Sequence, residues 1–169
     1  MGIGSVSISN VVIGFIKEIL PERSIILEFG SGEGTIRLSK YFQMYSVENQ
    51  TEWMNRYPTA TTYINCNTRR YDAEFTTPEM NNPQHAWYNP DQLFSNLPKK
   101  YDLILIDGPG GHFGRGGFFK FLDRFNTNIP LIFDDVNRPA ELELIQKVSE
   151  RVKRPYFIHE QDPALGYIL

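Results

Sequence analysis

Hydrophobic residues in this chain switch repeatedly between the helical and the strand period, and that alternation restricts the fold more than any other feature. Ser9 and Asn10 can cap a helix whose apolar positions Val12, Phe15, Ile16 and Leu20 lie on one face and stop at Pro21. Residues 24–29 then form an apolar run of strand length, closed by Gly30-Ser31-Gly32-Glu33-Gly34. A helix is predicted through Ile36, Leu38 and Phe42, followed by a strand over 44–47 that ends at Glu48. One or two helical turns over 51–57, a strand over 61–65, a strand over 101–106, helical spacing over 118–125 and a strand over 129–133 continue the pattern. Pro139 opens a helix carrying Leu142, Leu144, Ile145 and Val148, and strands over 156–159 and 165–169 close the chain. Strand alternating with helix predicts right-handed βαβ units, hence an α/β fold whose doubly wound, mostly parallel sheet is covered by helices on both faces.

Length and composition are consistent with one domain spanning residues 1–169. The chain is 41% hydrophobic and 22% charged, which is ample for a packed core. Cys66 is the only cysteine, so an intrachain disulfide and a Cys-rich zinc site are both excluded, and a reducing compartment fits. The strongly apolar stretches, such as 11–16 and 103–106, fall far short of the ~18–20 residues of a membrane span. The first basic residue is Lys17, so the expectation is a cytoplasmic protein without a signal peptide or membrane attachment. With 17 basic against 20 acidic residues, the charge balance argues against a nucleic-acid partner.

Ligands of doubly wound sheets bind beyond the carboxyl ends of the strands, where the strand order reverses. The residues that follow each strand therefore bear the chemistry. In the turn from Glu28 to Gly34, glycines permit a left-handed backbone and let a ligand lie against bare main chain, and the helix behind them offers N–H groups to an anion. Glu48 comes eighteen residues after Gly30, where a ribose-binding carboxylate belongs, and its two oxygens can accept from both ribose hydroxyls. Two segments break the regular pattern. Residues 67–100 contain Pro78, Pro83, Pro90 and Pro98, with Asn89-Pro90 predicting a short helix through Leu93 and Phe94. Residues 108–117 contain six glycines in ten positions, a lid or a place of close backbone approach.

Together, Glu28-Phe29-Gly30-Ser31-Gly32-Glu33-Gly34, Ser46-Val47-Glu48 and the run Tyr101-Asp102-Leu103-Ile104-Leu105-Ile106-Asp107-Gly108-Pro109 resemble class I S-adenosylmethionine-dependent methyltransferases. The resemblance extends over most of the chain, to Phe133-Asp134-Asp135 and the two terminal strands. It implies a seven-stranded sheet ending in an antiparallel strand pair, with S-adenosyl-L-methionine as cofactor. It also implies a cofactor site made by Glu28, Gly30, Ser31, Gly32, Glu48 and Asp107. The stretch Asn65-Cys66-Asn67 lacks the acidic residue that helps hold adenine in this family, so the adenine contact stays unassigned. Spacing of the form G-x-G-x-G and the lack of a second domain disfavour a dinucleotide.

Asp107, Asp134 and Asp135 all follow strand ends on one sheet edge. Converging carboxylates repel unless a cation or a proton joins them, and oxygen ligands suit Mg²⁺ or Ca²⁺. Metal-dependent O-methyltransferases of this fold place carboxylates similarly, commonly with an Asn adjacent to the last; here Asp135 stands there and Asn137 lies two residues on. The alternative is that one Asp caps a helix or turn and another pairs with Arg138 or Arg115. Methyl transfer needs an oriented nucleophile and, for a hydroxyl, a proton acceptor. Asp107 and His112 are the catalytic candidates, with His85 as a substitute for the imidazole. Trp53 could close over the cofactor, and Trp87-Tyr88 could wall the same pocket or belong to the core. The expected function is methylation of an oxygen on a small molecule or glycan. A methyltransferase-like module that binds without turnover, or a nucleic-acid methyltransferase, is the alternative.

Overall fold

A computed structural model describes residues 8–56, 60–72, 74–77, 85–110, 113–159 and 164–169. Helix α1 (Asn10–Ile19) starts where expected: Ser9 Oγ accepts from the Val12 N–H at 3.3 Å, and Val12, Ile13 and Ile16 are buried. It leads into β1 (Ile25–Phe29), α2 (Glu33–Leu38), β2 (Gln43–Glu48), α3 (Thr51–Arg56) and β3 (Thr62–Asn65). Two short strands, β4 (Thr68–Arg70) and β5 (Ala86–Tyr88), precede α4 (Pro90–Asn96) and β6 (Leu103–Ile106). The chain ends with α5 (Gly117–Lys120), β7 (Leu131–Phe133), α6 (Pro139–Val152), β8 (Phe157–His159) and β9 (Leu165–Ile168).

The main sheet has seven strands in the order β3-β2-β1-β6-β7-β9-β8. The first five are parallel, and β9 runs antiparallel to both β7 and β8. Strand order reverses between β1 and β6, so the crevice at their carboxyl ends is the switch point. Alternation along the strands builds two cores. Leu27, Phe29, Ile104, Ile106, Leu131 and Phe133 face one side with residues of α4, α5 and α6; Ile26, Met44, Leu103, Leu105 and Ile132 face the other with α1 and Leu38. Phe29 is the hub of an aromatic cluster, with ring centroids 5.2 Å from Trp87, 5.8 Å from Tyr88, 5.9 Å from Phe118 and 5.6 Å from Phe125.

Two helices are shorter than their apolar spacing predicts. Helix α2 stops at Leu38, and Phe42 closes the turn after it by donating to Leu38 O at 3.0 Å. The chain must turn there because Gln43 pairs in register with Ile25. The stretch 118–125 divides into α5 and a 3-10 turn over Leu122–Arg124, which lets Phe118 and Phe125 both pack on Phe29. Residues 67–100 contain a strand pair that the patterning did not reveal: Thr68, Arg69 and Arg70 pair antiparallel with Tyr88, Trp87 and Ala86.

Candidate functional site

Backbone hydrogen bonds continue one step past the strands and bring the chemistry-bearing residues into one row. Gly30 N–H donates to Val47 O at 2.9 Å, Asp107 N–H to Phe29 O at 3.0 Å, Asp134 N–H to Ile106 O at 3.1 Å and Cys66 N–H to Glu48 O at 2.9 Å. A cavity of about 270 Å³ opens above this row, lined by Gly30, Ser31, Glu48, Asn49, Gln50, Trp53, Tyr88, Asp107 and residues 108–110. Gly30 has φ of 89°, and the two turns touch there. A Cβ on Gly108 would lie 2.6 Å from Gly30 Cα and 2.8 Å from the Tyr88 hydroxyl, and one on Gly30 would lie 3.1 Å from Gly108. Glycine is required at both positions because two main chains meet.

Glu28 lies beneath this turn, almost fully buried, and is not among the residues lining the cavity. Its Oε2 accepts from Ser46 Oγ at 2.6 Å and Thr35 Oγ1 at 2.8 Å; Ser46 also reaches Gly30 O at 3.0 Å, and Thr35 Oγ1 accepts from Gly32 N–H at 3.0 Å. Burial raises its pKa to about 7 against the lowering pull of the two hydroxyls. Glu28 and Gly32 thus shape the turn from below, while Gly30 and Ser31 face the cavity.

Glu48 is buried at the cavity's other end. Its Oε2 accepts from Ser31 N–H at 3.0 Å and Ser31 Oγ at 2.8 Å, and its Oε1 from Asn49 N–H at 2.7 Å and Gln50 N–H at 2.8 Å. The main-chain donors at Ser31 and Gly32 that an anion could have used are therefore taken by Glu48 and Thr35. Trp53 also lines the cavity, its Nε1 donating to Gln50 Oε1 at 3.1 Å.

Beyond the ends of β6 and β7, Arg115 is 3% exposed and is in contact with several carboxylates. Its NH2 lies 3.2 Å from Asp107 Oδ1 and 3.0 Å from Asp135 Oδ2, its NH1 donates to Asp134 O at 2.9 Å, and its Nε is 3.8 Å from Glu141 Oε1. Arg138 NH1 adds a bridge to Asp135 Oδ2 at 3.1 Å. Asp107, Asp134 and Asp135 can each present an oxygen within 4.8 Å of the others. Burial pushes Asp107 well up, Arg115 pulls it back, and Asp134 pushes it up again. Burial and then Asp135 raise Asp134, whose Oδ1 has no hydrogen-bond partner.

Of the residues that the sequence assigns to the cofactor site, Gly30, Ser31, Glu48 and Asp107 line this cavity together with Trp53, whereas Glu28 and Gly32 do not. His112 lies outside the described residues. His85 stands apart from this cavity, beside Tyr71 at 4.6 Å between ring centroids. Tyr88, which the sequence left open between pocket wall and core, lines the cavity. Its hydroxyl is buried, lacks a hydrogen-bond partner and touches the space around Gly108, while burial and then Glu48 hold its pKa far above the usual phenol range. Arg115 appeared in the sequence only as one possible partner of an aspartate; a glycine-rich neighbourhood gives no sign that a side chain turns inward.

The sequence matches no protein-family model, and no curated protein matches it. Solved structures do resemble it. Aeropyrum pernix fibrillarin with natively bound S-adenosyl-L-methionine superposes with a TM-score of 0.59 at 14% identity, over 96% of this chain and 74% of that one. Precorrin-6y C5,15-methyltransferase from Geobacter metallireducens gives 0.58 at 11% identity, over 94% of this chain and 83% of that one. MycE methyltransferase of the mycinamycin biosynthetic pathway, solved with Mg and S-adenosylhomocysteine, gives 0.54 at 12% identity, over 94% of this chain and 44% of that one. The chain has the fold of class I S-adenosylmethionine-dependent methyltransferases, including the antiparallel β7-β9-β8 edge. Among the described residues, no helix is long and apolar enough to cross a membrane.

Proposed function

We propose that the chain is an S-adenosylmethionine-dependent methyltransferase acting on a hydroxyl oxygen of a small-molecule acceptor. The observation that carries this reading is the meeting of the Gly30 turn, Glu48 and Asp107 around one cavity at the switch point of this fold. The residues present fit the cofactor. A buried carboxylate stands at one end for the ribose, bare backbone at Gly30 and Gly108 suits close approach, and the unpartnered Tyr88 hydroxyl needs a hydrogen-bonding group opposite it. When bound, S-adenosylmethionine supplies a methyl group activated on a sulfonium centre. The chain's own residues bind and orient. Glu48 accepts from the ribose: its four acceptor positions are already filled, so one ribose hydroxyl replaces the Ser31 hydroxyl, which is free to rotate, and the second shares an oxygen with a main-chain N–H. Asp107, raised by burial and present in the cavity wall, takes the proton from the acceptor hydroxyl.

A glycan acceptor has no separate support, and we keep the acceptor to a small hydroxylated molecule. Neighbouring the first cavity is a second of about 310 Å³ that shares Tyr88 with it and is lined also by Arg69, Arg70, Tyr71, Asp72, Lys120 and Phe121. The acceptor's remainder is placed there. Calorimetric titration with S-adenosylhomocysteine, followed by transfer of labelled methyl from S-adenosylmethionine to a pool of hydroxylated metabolites, tests the reading. Binding with transfer is expected. Failure to bind ends the methyltransferase reading; binding without transfer to any hydroxylated acceptor favours a module that holds the cofactor without turnover.

A further inference from the structure

Carboxylates gathered at the ends of β6 and β7 invite a divalent cation, yet the side chains already supply a cation of their own. Asp107 Oδ1 and Asp135 Oδ2, oxygens of two of the three carboxylates that could gather round an ion, are 3.2 and 3.0 Å from the same nitrogen of Arg115. Asp135 Oδ2 is also held by Arg138 at 3.1 Å. The guanidinium also donates to Asp134 O at 2.9 Å and stands 3.8 Å from Glu141 Oε1, and the whole residue is only 3% exposed. Its charge is permanent, and its flat fork of donors matches carboxylates spread on several sides. Mg²⁺ needs carboxylate oxygens at ~2.0–2.1 Å in near-octahedral array, and Ca²⁺ needs six or more oxygens. Neither requirement is compatible with a buried positive group already bonded to these carboxylates.

We infer that the Arg115 guanidinium is the resident cation of this cage, occupying the position that a divalent metal would take, and that it seats the backbone around Arg115 against β7 and α6. The residues therefore do not fit a metal cofactor as they stand. Asp107 belongs to β6's end, Asp134 and Asp135 to β7's, and Glu141 to α6, so one side chain ties three elements together beside the cavity. Arg115 is thus a positioning residue: it holds Asp107, which in turn lines the cavity.

The test is Mn²⁺ binding, read by water-proton relaxation, in the wild-type protein and in Arg115→Met and Arg115→Lys. The wild type is expected to bind no Mn²⁺ tightly, and chelator should leave its melting temperature unchanged. Arg115→Met, which empties the cation position while keeping a long apolar stem, should gain Mn²⁺ binding by at least tenfold. Arg115→Lys, which retains the charge, should exclude Mn²⁺ as the wild type does. A role confined to packing would not produce that difference between Met and Lys. Stoichiometric Mn²⁺ binding by the wild type, lost in Asp135→Asn, would overturn the inference, and this arm decides even if Arg115→Met fails to fold. A folded Arg115→Met that gains no Mn²⁺ overturns it as well. S-adenosylhomocysteine titrated into the same samples reports separately on the donor site, so the two readings can fail independently.

Discussion

Glu28 and Glu48 are both buried carboxylates at the glycine turn, and their surroundings give them different duties. Glu28, with its pKa raised by burial from 4.5 to about 7, is a native-state proton reservoir. Between those values the folded protein keeps a proton that the unfolded chain has lost. Its contribution to stability is therefore full below 4.5, declines as pH rises, and is gone above 7. The span corresponds to roughly 3 kcal/mol. Glu28→Gln cannot titrate, so urea unfolding of the two proteins at mildly acidic and mildly alkaline pH should show the wild type losing about that much more than the variant. Parallel pH profiles for the two would rule the assignment out. Glu48→Ala should weaken S-adenosylhomocysteine binding by roughly ten- to a hundredfold, since charge-assisted bonds contribute ~1.5–3 kcal/mol each. Position alone suggests that this change spares stability, because Glu48 merely ends a strand. The structure indicates a cost of about 2 kcal/mol or more as well, because the Ser31, Asn49 and Gln50 N–H groups lose their acceptor. Titration calorimetry and denaturant melts separate the two effects. Equal affinity in two folded proteins would remove Glu48 from the cofactor site. What the sequence shows at this scale is where a carboxylate stands along the chain; which lone pairs are already filled depends on residues it meets only after folding.

At the scale of elements, the closest approach in the molecule's candidate site is between the β1–α2 turn and the start of the loop after β6. Gly108→Ala would put a methyl 2.6 Å from Gly30 Cα and 2.7 Å from Gly30 N, and backbone cannot swing aside as a side-chain tip can. Overpacking of this kind typically costs ~1–3 kcal/mol. The expected result is a lowered melting temperature together with lost S-adenosylhomocysteine affinity, because the ends of β1 and β6 must part at the cavity floor. Thermal melts and titration on Gly108→Ala check this; wild-type values in both would show that the turns do not bear on each other. The glycine turn, Glu48 and the 101–106 run were legible because each follows an apolar strand whose period is unbroken. β4 and β5 were not. Each has only three residues, their pairing joins segments separated by Pro78 and Pro83, and Arg69-Arg70 carries no apolar alternation to announce a strand. Without that pairing, nothing in Trp87-Tyr88 tells which ring reaches the cavity. Both are buried in the Phe29 cluster, and it is the Tyr88 hydroxyl that reaches Gly108.

Across the whole molecule, charge distribution separates the acceptor classes that the fold leaves open. The chain carries a net charge of −3, with 17 basic residues against 20 acidic ones. Arg69, Arg70 and Lys120 nevertheless gather, with Asp72, around the cavity that shares Tyr88 with the one bounded by Gly30 and Glu48. Arg69 pairs with Asp91 at 3.6 Å and Lys120 with Glu74 at 3.1 Å, but all four side chains are at least a third exposed, and such pairs are worth only ~0–1 kcal/mol. Arg70 has no carboxylate partner among the described residues, so an incoming anion can recruit it at once and compete for the other two. Three cations suit one phosphate or carboxylate group on a small acceptor, with Tyr71 and Phe121 beside its apolar portion. They do not suit a nucleic-acid strand, where a typical protein neutralises about six to ten phosphates. Phenyl phosphate should therefore bind in the second cavity and weaken several-fold in Arg70→Gln, while S-adenosylhomocysteine affinity stays at the wild-type value. A short labelled RNA should show no retention at ~0.15 M salt, where a screening length of ~8 Å leaves little long-range attraction from a net-acidic surface. Equilibrium dialysis and filter binding measure the two arms. Salt-sensitive RNA retention with no response to phenyl phosphate would reverse the assignment and move the acceptor to nucleic acid.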